Sequence, residues 1–333
     1  MKPSRLHFMG IGGQGISAVA QIAQKAGKTV TGCDRQASAT TRALEKAGVA
    51  VRIGHSPAHV QDIDALIISP AVTALNPDQP ELQAAQERGI PIVPWQQLLS
   101  ELMQESCVIS VSGVHGKGTT TAMLSLMLVD AGLDPTCEIG AVVPRFGTNY
   151  RLGKGKYFIN EADEFNHNFW HYHPRLTVVT SIEFEHPEFF ATYDAFLDAF
   201  EHFIRGMDRS DRWDVPPTLV LNSDSPGCHD LMQRLKDWPG RIVTYAINQE
   251  EQQERQEGQE GQTESIENSQ MHVEAYDLKL EGETSFRVRS IGTTAVAYDT
   301  VFHQQLPGIH NIQNALAALT LATLLGIDAS TIQ

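Results

Sequence analysis

The sequence predicts an α/β protein: an N-terminal doubly wound domain followed by a second α/β domain built around a phosphate-binding loop. Three observations carry that expectation. Short apolar runs alternate with helix-length segments from residue 5 to about residue 245, the order that produces a parallel sheet with crossover helices. Two glycine-rich loops, at 10–15 and 113–118, each follow an apolar run and open a helix. The length of 333 residues suits two hydrophobic cores and does not require a third.

In the first domain, 5–9 reads as an apolar strand, 10–15 as a glycine-rich turn and 16–26 as a helix of small and apolar residues. Strands follow at 29–32, ending on Asp34, and at 51–53, 65–68 and 92–93. Helices fall at 41–47 and 80–88. Residues 100–106 form a hinge, because a new strand–helix series begins there, so the expected domains are 1–104 and 105–333. In the second domain, strands are expected at 108–112, 157–161, 177–181, 218–221 and 241–245. Helices are expected at 119–131 and 193–204. Residues 248–270 have almost no apolar side chains and read as a solvated, flexible loop. Strands at 273–276, 285–289 and 295–297 and a helix at 312–325 close the chain. The run 167–173, rich in histidine and aromatic residues, reads as a partly buried helix end.

Composition excludes several classes. The formal net charge of −15 disfavours nucleic acid and anionic membrane as partners. No 18-residue apolar run offers a membrane span. Four cysteines without CxxC spacing are read as reduced thiols. The start lacks a signal-peptide layout, and a cytoplasmic location is expected.

The second glycine loop carries the strongest chemical signal. Gly113, Val114, His115, Gly116, Lys117, Gly118, Thr119, Thr120 and Thr121 follow an apolar strand directly. Glycines let backbone amides converge on phosphate oxygens, and the helix start adds partial positive charge. Lys117 can reach the β- and γ-phosphates, and a threonine hydroxyl can enter a Mg²⁺ shell. The ordinary reading is a strand-to-helix turn, but Gly-Lys followed by three threonines is unusual for one. The spacing is shorter than GxxxxGK[ST]. The first loop, Gly10, Gly12, Gly13 and Gly15 with Asp34 after the next strand, fits GxGxxG. Alone it is a weak dinucleotide fingerprint of the Rossmann-like kind, leaving an NAD-dependent oxidoreductase as one reading.

The 113–121 loop resembles the ATP loop of the Mur ligases, which join amino acids to peptidoglycan precursors. Four further segments match that family in order: 7–17, 147–153 with 161–164, 180–186 and 307–314. The resemblance is nearest to the branch that adds L-alanine to UDP-N-acetylmuramate. It implies ATP and Mg²⁺ as cofactors and UDP-N-acetylmuramate and an amino acid as substrates. It implies that Lys117 contacts the transferred phosphate and that Thr119, Glu161 and His186 hold metal. By the same resemblance His310, Asn311 and Asn314 lie near the adenine, and Gly10, Gly12, Gly13, Gly15 and Asp34 serve the UDP-sugar. Taken singly, Glu161 reads as a solvated carboxylate, His186 as a packed or surface histidine, and Asn311 as a helix cap. Gly118 stands where this branch has threonine, and Phe165-Asn166 where it has Ser-Asp. Ser181 replaces an asparagine and Glu185 an aspartate. The family's third domain is expected to be absent, supplied by a partner or a downstream chain. A non-catalytic ATP- and UDP-sugar-binding module, and the recycling ligase that adds a tripeptide to UDP-muramate, are the alternatives.

Overall fold

The computed structural model describes residues 3–69, 72, 78–248, 271–280, 283–292 and 300–332. The chain forms two compact units. One is Met1–Ser106 with Glu138–Leu152, the other Cys107–Cys137 with Gly153–Gln333. The division is therefore not one linear cut: residues 138–152 belong with the first unit.

The first unit holds a five-stranded sheet in the order β3-β2-β1-β4-β5. The strands are β1 (Arg5–Met9), β2 (Thr29–Asp34), β3 (Ala50–Ile53), β4 (Ala65–Ile68) and β5 (Ile92–Pro94), and every pairing is parallel. β1 is the central strand because it is apolar on both faces, with Leu6, Phe8 and Met9 buried. The helices are α1 (Gln14–Lys25), α2 (Ala39–Lys46), α3 (Pro80–Glu87) and α4 (Trp95–Met103), and a short 3-10 turn spans Pro57–Val60. α2 starts two residues before its expected position because Ser38 and Thr41 form a reciprocal capping box.

The second unit is built on a sheet whose strands β9 (Tyr157–Glu161), β6 (Cys107–Ser112), β10 (Leu176–Val179), β11 (Thr218–Asn222), β12 (Arg241–Ile247) and β13 (Met271–Lys279) run parallel in that spatial order. β14 (Thr284–Gly292) and β15 (Val301–Gln304) extend it antiparallel. β6 is buried at every residue, as its apolar and small sequence requires for a strand covered on both faces. Helices α5 (Lys117–Asp130), α6 (Tyr193–Arg205), α7 (Pro226–Arg234), α8 (Ile309–Leu324) and α9 (Ala329–Ile332) complete the described elements, with a 3-10 segment at Phe165–His171.

Several sequence expectations are corrected. α5 begins at Lys117 and not at 119, because Gly116 in the left-handed region (φ 82°) serves as its N-cap. The strands β7 (Thr136–Val143), β8 (Thr148–Arg151) and β15 and the helices α4, α7 and α9 were not anticipated, and because α4 runs to Met103 only residues 104–106 connect it to β6 where a hinge at 100–106 was expected. The 167–173 run is not a regular helix end: Asn166 and His167 are left-handed inside the 3-10 segment. The expected flexible loop at 248–270 lies, beyond Asn248, outside the described residues, as does the expected strand at 295–297. Among the described residues no helix is long and apolar enough to cross a membrane, and all four cysteines are buried and outside any disulfide.

Candidate functional site

The phosphate-loop candidate lies between β6 and α5. Gly113 adopts φ 121°, and a side chain there would strike Thr180 Oγ1 and the Ser181 backbone. The loop is tied to the end of β10: Val114 N donates to Ser181 O at 3.0 Å, and His115 N donates to Ser181 Oγ at 3.1 Å. The Thr180 hydroxyl donates to Ser112 O at 3.1 Å and also bonds His115 O. Ser181, a departure from the family pattern, thus does structural work as an amide acceptor.

Lys117, the first residue of α5, folds back over the loop. Its ammonium donates to Gly113 O at 2.6 Å and to Glu164 Oε2 and Oε1 at 3.0 and 3.2 Å. Glu164 is 1% exposed. Burial raises its carboxyl pKa; the Lys117 charge opposes that rise and Asp163 adds to it. Of the three threonines, Thr120 donates to Asn314 Oδ1 at 3.3 Å and Thr121 to Lys117 O at 2.8 Å. Thr119, half-buried, carries no such bond among the described residues, which leaves its hydroxyl available to a ligand.

Glu161 ends β9 beside the first turn of α5. A Cβ on Gly118 would lie 2.8 Å from Glu161 Oε1, so the glycine at 118 gives that carboxylate its place against the helix backbone. His186 sits in the loop after β10 with φ 57°. Its Nδ1 is 3.2 Å from Glu188 Oε1, its Nε2 3.8 Å from Glu185 Oε2, and its ring meets Phe165 edge-on at 5.0 Å. Ligand atoms of Glu164, Glu185 and His186 all lie within 4.8 Å of one another. Glu161 is not one of that group. Two carboxylates and an imidazole form a donor set suited to a divalent cation. Glu164 closes the 161–164 motif without an expected role; its place three residues after Glu161, on the loop leaving the same strand, is the sequence signal that points to it.

The start of α8 comes against the loop. Asn314, nearly buried, occupies the space a side chain on Gly116 would need, and its amide donates to Asn311 Oδ1 at 3.4 Å. Asn311 is not the helix cap: Gly308 is, and Asn311 donates to Pro307 O at 2.7 Å. His310 is exposed beside Gly308. Of the three residues expected near the adenine, the structure brings Asn314 directly to the loop.

In the first unit, Gly10 (φ 77°) turns the chain after β1. The amides of Gly10 and Ile11 both donate to Cys33 O, at 2.9 and 3.0 Å. Gly12 N donates to Asp34 Oδ2 at 2.8 Å, so Asp34 occupies one of the loop's amides. Gly13 caps α1. A side chain on Gly15 would meet the Trp95 ring at 2.9 Å.

The sequence matches two family descriptions: "Mur ligase family, catalytic domain" over residues 5–106 and "Mur ligase middle domain" over residues 111–322. It is 36% identical over 332 residues to a UDP-N-acetylmuramate–L-alanine ligase of Aquifex aeolicus, covering 99% of this chain and 65% of that protein. A protein of the same name from Dechloromonas aromatica gives the same identity over 334 residues and the same coverage. The chain thus spans about two thirds, 65%, of the length of these curated relatives. Among solved structures, a UDP-N-acetylmuramate:L-alanyl-gamma-D-glutamyl-meso-diaminopimelate ligase from Neisseria meningitides aligns with TM-score 0.78 at 27% identity, covering 99% of this chain and 96% of that one. A UDP-N-acetylmuramate-alanine ligase from Thermotoga maritima aligns with TM-score 0.76 at 26% identity, covering 98% and 66%. With both matches running in order from residue 5 to residue 322, the chain belongs to the Mur ligase family.

Proposed function

We propose that this chain binds ATP and Mg²⁺ at the 113–121 loop and UDP-N-acetylmuramate through its first unit, and serves amide-bond formation in peptidoglycan-precursor synthesis in the cytoplasm. The observation that carries the reading is the loop itself: a left-handed glycine N-cap, a lysine at the first helical position and a threonine hydroxyl with no hydrogen-bond partner among the described residues. The amides at the start of α1, just after Gly13, suit the diphosphate of a UDP-sugar by the same physics, while those of Gly10, Ile11, Gly12 and Gly13 donate within the protein and shape the loop.

The residues have distinct tasks. Lys117 leaves Glu164 and places its charge on the phosphate oxygens that gain charge during transfer. Thr119 and Glu161 hold the cation on the nucleotide side, and His186 with Glu185 and Glu164 offers a second position. When bound, Mg²⁺ supplies neutralisation of the phosphate charge and a fixed alignment of its oxygens. The substrate carboxylate takes the γ-phosphoryl group and ADP departs. The amine of L-alanine then attacks the acyl carbon, phosphate leaves with the bonding pair, and the amine's proton passes to solvent.

The test is ADP release by the purified chain with ATP, Mg²⁺ and UDP-N-acetylmuramate, with L-alanine and with a tripeptide as acceptors. Alanine-dependent ADP release that disappears in Lys117→Ala supports the reading; nucleotide binding without any release favours the non-catalytic module. The recycling ligase is favoured instead if the tripeptide alone is used, and the likeness to the Neisseria structure motivates that arm.

A further inference from the structure

A second cluster of ligating side chains lies in the first unit, beneath the first glycine loop. His7 on β1, Cys33 on β2, His59 in the 3-10 turn and Glu81 on α3 each present an atom within 4.8 Å of the others. Cys33 and Glu81 are 0% exposed and His7 is 1% exposed. Cys33 Sγ is 3.1 and 3.3 Å from the two Glu81 oxygens and 3.3 Å from His55 Nδ1. His59 Nδ1 and Glu81 Oε1 are in close contact, and His55 Nδ1 is 3.2 Å from Glu81 Oε2.

The Cys33–Glu81 spacings lie near the edge of a metal tetrahedron, while His59 and Glu81 sit closer, hydrogen-bonded to each other, and would part on binding. Zn–S and Zn–N bonds of about 2.3 and 2.0 Å put neighbouring ligand atoms roughly 3.3–3.6 Å apart. A second observation points the same way. His7 Nε2 is buried with no hydrogen-bond partner, a rare and costly condition for a ring nitrogen. Its other nitrogen, Nδ1, is 2.8 Å from Thr31 Oγ1, in the directly paired position on β2. The Thr31 hydroxyl also lies 3.5 Å from Leu6 O, a carbonyl it can donate to while accepting from His7 Nδ1–H. With Nδ1 as the donor to Thr31, the lone pair is on Nε2, the arrangement by which outer hydrogen bonds orient metal-bound histidines.

We propose that His7, Cys33, His59 and Glu81 bind one divalent transition-metal ion, with zinc the best match, and that His55 flanks it through Glu81. One thiolate, two imidazoles and one carboxylate form a mixed soft and borderline donor set that selects Zn²⁺ over Mg²⁺ or Ca²⁺. Binding is balanced by loss of the Cys33 proton to solvent: the thiol becomes a metal-bound thiolate, and thiolate plus carboxylate neutralise the ion's two charges in a buried setting. The ion would clip β1, β2, the 3-10 turn and α3 together. Because the Cys33 carbonyl holds the Gly10 and Ile11 amides, it would also brace the first glycine loop. The inference does not depend on the ligase reading.

The experiment uses the whole 333-residue chain, stripped with a chelator and titrated with Zn²⁺ against a chromogenic competitor, and with Co²⁺ by absorption. One tightly held Zn²⁺ per chain is expected, and a Co²⁺ complex with a thiolate-to-metal charge-transfer band. Cys33→Ser should abolish that band, and Cys33→Ser and His7→Gln should each weaken Zn²⁺ by more than the roughly 10–100-fold that loss of an outer hydrogen-bonding partner costs, while His186→Ala leaves both signals intact. Absence of stoichiometric zinc, or zinc binding that is lost in His186→Ala and kept in the other two, overturns the proposal. Should neither cluster variant fold, the wild-type cobalt spectrum decides: a charge-transfer band supports the site and its absence overturns it.

Discussion

Lys117 Nζ lies 3.0 Å from Glu164 Oε2, and the two form a part-buried ion pair over the 113–118 loop. A carboxylate therefore holds the ammonium where a phosphate would compete for it. Glu164→Gln keeps the shape and weakens that hold, so it is expected to bind ATP in the absence of Mg²⁺ at least as tightly as the wild type. Lys117→Ala is expected to weaken ATP by about 10–100-fold, the loss of one charge-assisted contact of about 1.5–3 kcal/mol. Calorimetric titration of both variants checks the pair. Lys117→Ala also leaves Glu164 buried without its cation. Its destabilisation, measured by urea unfolding, should be larger at pH 7 than at pH 5, because protonation relieves an unpaired buried carboxylate.

The three loop glycines make different demands, which predicts an order. Gly113→Ala meets both a positive φ and the Thr180 and Ser181 atoms. Gly116→Ala meets a positive φ and the Asn314 amide, a side chain that can shift. Gly118→Ala adopts a helical conformation and meets only the Glu161 carboxylate end at 2.8 Å, while gaining helix propensity of about 1 kcal/mol. Thermal melts should rank Gly113→Ala as most destabilised, by at least about 2 kcal/mol, then Gly116→Ala, with Gly118→Ala near wild type.

Glu274 on β13 faces Arg289 on β14 in direct register, with Arg289 Nη2 at 2.8 Å from its carboxylate. Hydrogen bonding from His272 first, then from Arg289, lowers its pKa to about 2 against partial burial. The folded value lies below the ordinary carboxylate value, so the unfolded chain binds the extra proton between about pH 4.5 and pH 2. The stabilisation is complete above that window and is lost as pH falls through it. Glu274→Gln should flatten the pH dependence of unfolding there by up to about one proton, read from chemical denaturation at stepped pH.

The sequence revealed the parallel strands most clearly, and for a physical reason. A strand such as Cys107–Ser112, buried on both faces, must be continuously apolar or small, and that pattern is local. Glycine loops are legible for the same reason: Gly113 and Gly116 need backbone angles that other residues resist. What was hidden is set by distant partners. Glu164 acquires its meaning from Lys117, 47 positions earlier. The 138–152 ribbon belongs with the first unit although it follows the second unit's first helix. Asn311 looked like a cap, yet the left-side partner Gly308 took that position with φ 97°. The His7, Cys33, His59 and Glu81 cluster is spread over 75 residues, with no short motif to announce it.

The most direct test of the account is a crystal soak or titration of the chain with a non-hydrolysable ATP analogue and Mg²⁺. The account predicts phosphates lying on the amides at the start of α5, residues 116–119, with the Lys117 ammonium moved from Glu164 onto them and Thr119 facing the cation. Saturating analogue that leaves the loop empty and the Lys117–Glu164 pair intact would contradict it.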